Sequence, residues 1–156
     1  MDVGKVSSSL EALIERKPIP SQVKRRILDS ITRFLLLVRE HFKDKLLSVI
    51  VFGSVVQPNR PFLDDSDIDF MVFYDGDRRM AWSFEDKLPT RTRIRIGALI
   101  DVNEFKFDEE RKVYWHLVFF TSQESWKLVK MLNRVGDYVV VHGEDVIRKL
   151  ISGKGE

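Results

Sequence analysis

Cysteine is absent from this chain of 156 residues. Its absence excludes disulfides and any thiolate-based metal centre. No apolar run approaches the ~18 residues that a membrane-spanning helix requires. Neither sign of charge dominates, with 26 Lys and Arg against 24 Asp and Glu and a net charge of +2. That balance neither proposes nor rules out a nucleic-acid or nucleotide partner. Only three histidines are present, and none has the spacing of a Ser-His-Asp set or a His cluster. The opening Met1-Asp2-Val3-Gly4-Lys5 leads into polar residues and lacks the apolar stretch of a leader peptide. Cytoplasmic residence without membrane attachment is the expectation. Internal repeats and low-complexity segments are also missing. What remains is a composition 44% hydrophobic, enough to build the core of a single domain at this length.

Along the chain, Ser7-Ser8-Ser9 precede a short apolar segment, Leu10-Glu11-Ala12-Leu13-Ile14, and Pro18 and Pro20 then break it. Ser21 is a candidate N-cap. From Val23 to Phe42 the apolar residues Val23, Ile27, Leu28, Ile31, Phe34, Leu35, Val38 and Phe42 keep helical spacing, which predicts a core-packing helix. Leu46 to Phe52 reads as a buried strand ending at Gly53, followed by a helix start and a loop holding Pro58 and Pro61. Ile68 to Tyr74 is a second strand, Met80–Leu88 a helix stopped by Pro89, and Thr92 to Phe105 a long strand. Val113 to Thr121 is β-rich. Ser122 precedes a helix carrying Ser125, Leu128, Val129 and Leu132. Tyr138 to Val141 forms a last strand before a helix from Glu144 to Ile151. The chain is expected to divide into a helical extension over 1–44 and an αβ core over 45–156, forming one domain.

The chemistry concentrates in Ser66-Asp67-Ile68-Asp69-Phe70-Met71-Val72. In a strand, residues i and i+2 share a face. Asp67 and Asp69 therefore project together while Ile68 and Phe70 enter a core. Adjacent carboxylates raise each other's pKa unless a cation lies between them. Mg²⁺ suits that role, because it takes carboxylate oxygens together with substrate phosphates. Upstream, Gly53 permits a tight turn, Ser54 adds a hydroxyl, and a helix start beyond would offer N–H groups to phosphate.

A third carboxylate is sought in Arg93-Ile94-Arg95-Ile96-Gly97-Ala98-Leu99-Ile100-Asp101-Val102-Asn103-Glu104. Ile94, Ile96, Ala98, Ile100 and Val102 share one face, expected to be the core face, and Glu104 falls on it. Asp101 falls on the other, with Arg93, Arg95 and Asn103, and is the preferred candidate. These arginines are suited to a triphosphate or to an acidic acceptor, and equally to a solvated strand face. His116, among Trp115, Leu117 and Val118, reads as structural, as do Trp115, Phe119, Phe120 and Trp126. His142, before Gly143, reads as a turn residue.

Gly53-Ser54, then Asp67-Ile68-Asp69, then Asp101 resembles the pattern of the nucleotidyltransferase superfamily that includes DNA polymerase β. The matched region is residues 47–104, and the size is similar to that of small stand-alone nucleotidyltransferase-domain proteins. The resemblance implies a mixed αβ (α+β) fold with a small sheet flanked by helices. It implies transfer of a nucleoside monophosphate from an NTP, with ATP the expected one, to a hydroxyl, with release of pyrophosphate. It also implies two Mg²⁺ ions, with Mn²⁺ as the substitute, both held by Asp67 and Asp69, with Asp101 as a further ligand of the catalytic ion that helps to activate the acceptor. Gly53 and Ser54 would contact the β- and γ-phosphates. Small members often carry a Gly or Arg soon after the Gly-Ser turn, and here Arg60 alone could serve, at a shifted position. The acceptor could be a protein side chain, a small molecule or a nucleic acid. The chain has little room for a second domain, so another subunit in a homo-oligomer, or a helical partner protein, could complete the cleft. An antitoxin-like module pairing with such a helical partner is the alternative function.

Overall fold

The computed structural model describes residues 8–63, 66–95, 101–124, 126–128, 130 and 135–153. In chain order the elements are α1 (Ser8–Glu15), α2 (Ser21–Phe42), β1 (Leu46–Phe52), β2 (Asp67–Tyr74), α3 (Arg78–Asp86), β3 (Thr90–Arg95), β4 (Asp101–Asp108), β5 (Val113–Thr121), β6 (Tyr138–Gly143) and α4 (Val146–Gly153). The strands form one mixed sheet in the order β3-β4-β5-β2-β1-β6. The central pair β2 and β5 is parallel, and the other pairings are antiparallel. This is an α+β architecture with helices on both faces of the sheet. Among the described residues no helix is long and apolar enough to cross a membrane.

The α2 periodicity read from the sequence is the face that packs. Ile27, Ile31, Phe34, Leu35, Val38 and Phe42 are buried. Phe34 stacks on Phe70 of β2 with ring centroids 3.9 Å apart and meets Trp115 of β5 edge-on at 5.2 Å. Burying each such side chain contributes about 1.5–3 kcal/mol, so α2 is clamped to the centre of the sheet. Ile68 and Phe70 lie in the same cluster, together with Leu10 and Ile14 of α1. A buried polar knot fixes the approach. The Trp115 indole N–H donates to Ser30 Oγ at 2.9 Å, and Ser30 Oγ donates to Asp108 Oδ2 at 2.9 Å. Opposite, Met71, Phe73 and Phe120 pack with Leu128, Val135 and Ile147. That second layer lies over the C-terminal half of β2, and Asp67 and Asp69 occupy the same face at the other end of the strand.

Several expectations are corrected. The long strand over Thr92 to Phe105 is two antiparallel strands, β3 and β4, with Ile94 opposite Val102 and Arg95 opposite Asp101. A 14-residue strand would be far longer than the usual 5–6 residues. Ile96 to Ile100 lie outside the described residues. Ile94 and Val102 do not face a core, being 59% and 64% exposed. β4 pairs with β5 over Lys106 to Asp108, and the outer half of the hairpin projects beyond it. Alternation identifies which residues share a face, and says nothing of whether another layer covers that face. Pro20, not Ser21, occupies the N-cap of α2, and Ser21 begins the helix. Trp126 is exposed, with the ammonium groups of Lys127 and Lys130 over its ring. Trp126–Leu128 are helical, whereas Ser125, Val129 and Leu132 of that expected helix lie outside the described residues.

Candidate active site

The strand pairings assemble the site around β2. In the β1–β2 pair Phe52 stands opposite Asp69, so the residue after Phe52, Gly53, arrives beside the Asp69 carboxylate. Gly53 has φ +79°, a conformation costly for any residue with a Cβ. A Cβ there would also run into Asp69 Oδ2. The glycine is therefore required twice, by its backbone and by its neighbour. From it the chain makes a 3-10 turn, Gly53–Val56. An α-helix start was expected here, and the turn that replaces it is only four residues long.

A residue that sequence reasoning passed over holds this turn. Lys17, just beyond α1, is 3% exposed. Its ammonium donates to the carbonyls of Ser54 at 3.0 Å, Gln57 at 2.9 Å and Arg60 at 2.7 Å. Three acceptors match the three donors of an ammonium group. Burial, then the Arg60 charge, pushes the Lys17 pKa down to about 8, while the three carbonyl dipoles favour the charged form. A signal existed in the sequence. Leu10, Ile14 and Lys17 follow the i, i+4, i+7 spacing of one helix face, and the lysine takes the next core position. Arg60, the expected triphosphate residue, is exposed and contributes its carbonyl to Lys17.

On the other side of β2, parallel pairing sets Asp69 beside His116 and Asp67 beside Tyr114. His116 Nδ1 lies 2.9 Å from Asp69 Oδ1. Asp67, Asp69 and His116 each offer a ligand atom, and these atoms all lie within 4.8 Å of one another. The reading of His116 as merely structural missed this, because nothing local marks the parallel register. Burial and the neighbouring Asp69 push the Asp67 pKa up to about 6, against the lowering influence of Arg93 and His116. The hydrogen bond to Asp69 raises the His116 pKa, opposed by burial and assisted by both carboxylates. The imidazolium is then a local counter-charge, and a neutral imidazole is a nitrogen ligand. The donor set fits a divalent cation. Two carboxylates supply hard oxygens for Mg²⁺, and the imidazole adds a donor that first-row transition ions accept.

Asp101 opens β4 with its backbone opposite Arg95, and its side chain lies outside the described residues. Lys106 pairs with Trp115, so Phe105, not Asp101, is the β4 residue next to the His116 level. Phe105 and His116 have ring centroids 6.3 Å apart. Four residues of extended strand from Phe105 to Asp101 span about 13 Å. The same face carries Arg91, its Cζ 4.2 Å from the Phe107 ring centroid, and Arg93, its Cζ 4.1 Å from the Phe105 centroid and 5.3 Å from that of Tyr114. A cleft of about 560 Å³ between α2, α3 and the β4–β5 turn includes Arg33, His41, Lys87 and Glu110 in its lining. It lies on the α2 side of the sheet, away from the carboxylate pair, and is set aside as the reaction site.

A family model described as "Nucleotidyltransferase domain" matches residues 31–134, about two thirds of the chain. No curated protein matches. The matched span runs from the middle of α2 through β5 and contains Gly53, Ser54, Asp67, Asp69 and His116.

Proposed function

Since this chain belongs to the nucleotidyltransferase domain family, we propose that it transfers a nucleoside monophosphate from ATP to a hydroxyl acceptor, as a single-domain enzyme. The observation that carries this reading is the Asp69 carboxylate seated against Gly53 with Asp67 beside it. Carboxylates and phosphate turn then share one end of the adjacent strands β1 and β2. The acceptor hydroxyl releases its proton to solvent as its oxygen forms a bond to the α-phosphorus, the bond from that phosphorus to the bridging oxygen breaks, and pyrophosphate departs with the electron pair. Asp67 and Asp69 would hold two divalent ions, Mg²⁺ by preference and Mn²⁺ in its place, whose charge stabilises the attacking and leaving oxygens together. The Gly53-Ser54 turn binds the β- and γ-phosphates, and Arg60 reaches the triphosphate from the same loop. Lys17 fixes the turn from behind and is a positioning residue.

The third ligand is either His116, which already touches Asp69, or Asp101. We favour His116. Binding of Mn²⁺ followed by electron-spin-echo spectroscopy tests the choice. Coupling to an imidazole nitrogen, lost in His116→Ala and kept in Asp101→Ala, supports it. A spectrum without nitrogen coupling refutes it. The function itself is tested by transfer of label from α-labelled ATP to candidate acceptors, in wild type, Asp67→Asn and Asp69→Asn. Wild-type transfer that both variants retain would sink it.

The exposed Ile94–Val102 pair favours a second role as an antitoxin-like module or a self-associating subunit. Ile94→Asp and Val102→Asp should abolish self-association in sedimentation, or a stable complex with a helical partner, without loss of nucleotide transfer.

A further inference from the structure

The cleft between α2, α3 and the β4–β5 turn has a chemistry of its own. Its volume of about 560 Å³ falls within the ~300–1,000 Å³ of small-molecule sites. The inner wall is apolar. Leu37, Phe84, Leu88 and Trp115 line it, and each belongs to the main core or packs against it. The fold fixes these side chains, so the wall exists before any ligand arrives. The lining cations are Arg33, Lys43, Lys87 and Arg111, and the lining carboxylates are Glu40, Asp108, Glu109 and Glu110. Four charges of each sign leave the cleft with no net charge. A polyphosphate would meet as much repulsion as attraction there, so the cleft does not suit a second nucleotide.

The individual groups are not equivalent. Asp108 and Glu110 are already engaged. Ser30 Oγ donates to Asp108 Oδ2 at 2.9 Å, and the Arg111 guanidinium lies 3.5 Å from Asp108 and 3.1 Å from Glu110. Lys87 differs from both. Its ammonium lies 3.0 Å from His41 Nδ1, and His41 Nε2 lies 2.9 Å from the Met80 carbonyl oxygen. An ammonium can only donate and a carbonyl can only accept. Nδ1 therefore accepts, Nε2 carries the proton, and a relay from Lys87 through His41 to Met80 holds the ammonium in place. The His41 ring is itself held by Phe84 and Phe42, with centroids 5.3 and 4.9 Å away. Lys87 spends one of its three N–H bonds on this relay and keeps two for a ligand. A charge fixed before binding loses less freedom on binding than a mobile one. Among the described residues no hydrogen bond fixes Glu40 or Glu109 in this way, so the preorganised charge of the cleft is positive.

We propose that this cleft binds a small aromatic monocarboxylate, its ring on the wall that holds Phe84 and Trp115 and its carboxylate on Lys87. One carboxylate matches the two N–H bonds that Lys87 has left, and a flat ring packs well on a wall containing a phenyl and an indole. A second negative charge would gain nothing, because the remaining cations are balanced by carboxylates. The site lies on the α2 side of the sheet, away from Asp67 and Asp69, and does not depend on the nucleotidyl-transfer reading.

Isothermal titration of the full chain with 2-naphthoate reads this binding. Wild type should bind with Kd on the order of 0.1–1 mM, the scale expected of a ligand with about a dozen heavy atoms. Lys87→Met should weaken binding about 10-fold, the scale of one charged hydrogen bond, and Lys87→Arg should restore most of the affinity. The uncharged 2-naphthylmethanol should bind wild type and Lys87→Met alike. The chain has three tryptophans, and Trp82 and Trp126 are outside the cleft lining. In a Trp82→Phe/Trp126→Phe chain, 2-naphthoate should quench the emission of Trp115 with the same Kd. Saturating Mg²⁺ and ATP should leave that Kd unchanged, and so should Asp67→Asn. The proposal is overturned if 2-naphthoate does not bind up to about 10 mM, or if Lys87→Met binds it like wild type. Equal affinity for 2-naphthylmethylammonium overturns it, since the carboxylate would then contribute nothing. Displacement by ATP also overturns it, because the naphthoate would then lie in the reaction site.

Discussion

Replacing Lys17 by methionine should loosen the turn that follows Gly53 from behind, without altering Gly53, Ser54 or the Asp67–Asp69 pair. The side chain keeps its length and apolar stem, so packing is retained and only the ammonium is lost. Three hydrogen bonds of 2.7–3.0 Å disappear. Hydrogen bonds involving a charged group contribute about 1.5–3 kcal/mol each, giving a gross loss of about 5–9 kcal/mol. Against that stands the penalty of burying the ammonium. A fall in pKa from 10.5 to about 8 corresponds to about 3 kcal/mol. The net loss is about 2–6 kcal/mol, because leaving three carbonyls without donors outweighs relief from a buried charge. At this chain length each kcal/mol lowers Tm by about 2–4 °C, so a drop of roughly 4 °C or more is expected. The consequence for function is separate. Gly53 and Ser54 would no longer be held against Asp69, and affinity for a non-hydrolysable ATP analogue should fall about 10-fold, the scale of one charged hydrogen bond. Thermal unfolding and isothermal titration measure the two effects. An unchanged Tm together with unchanged nucleotide affinity would refute the role assigned to Lys17.

Gly53→Ala forces a Cβ into Asp69 Oδ2 at positive φ. Activity should drop about 100-fold, the cost of misplacing a reacting group by ~1 Å, and circular dichroism should report a chain that is still folded. Asp67 carries a folded pKa of about 6 against an ordinary 3.8, so between these values the folded protein holds a proton that the unfolded chain has released. Its contribution to stability is therefore full below pH 3.8 and is lost as pH rises through 6. In chelator, denaturant unfolding should show wild type losing about 1–3 kcal/mol relative to Asp67→Asn between pH 4 and 7, and Mg²⁺ at pH 7.5 should narrow the gap. Parallel pH profiles would refute this assignment. Ser30→Ala leaves the Trp115 N–H and Asp108 Oδ2 without their shared partner. It should destabilise by about 1–3 kcal/mol in urea unfolding, with nucleotide affinity unaltered.

Much of the fold was legible in the chain. The α2 stripe from Val23 to Phe42 and the strands around Leu46 to Phe52 and Ile68 to Tyr74 follow from spacing alone, since helical and strand periods are local. The burial of Ile68 and Phe70 beneath Asp67 and Asp69 could be read in the same way. The β3–β4 hairpin could not, because its residues alternate through the reversal and the alternation looks like one strand. Ile94 and Val102 were expected in a core for a related reason. Hydrophobic character and parity are properties of the segment, whereas coverage depends on where α2 and α3 end.

The chain by itself determined that two carboxylates share a strand face after a Gly-Ser turn, because side-chain alternation is set within four residues. Tertiary structure alone decided their company. Parallel pairing of β2 with β5 brought His116 to Asp69 from 47 residues away. Burial of α1 delivered Lys17 to carbonyls 37 to 43 residues downstream. The strand order set the Gly53 turn and the Arg91 and Arg93 side chains on opposite sides of the carboxylate pair. Such contacts depend on which strands become neighbours, and that is settled by the collective packing of the sheet against its helices, which no single segment encodes.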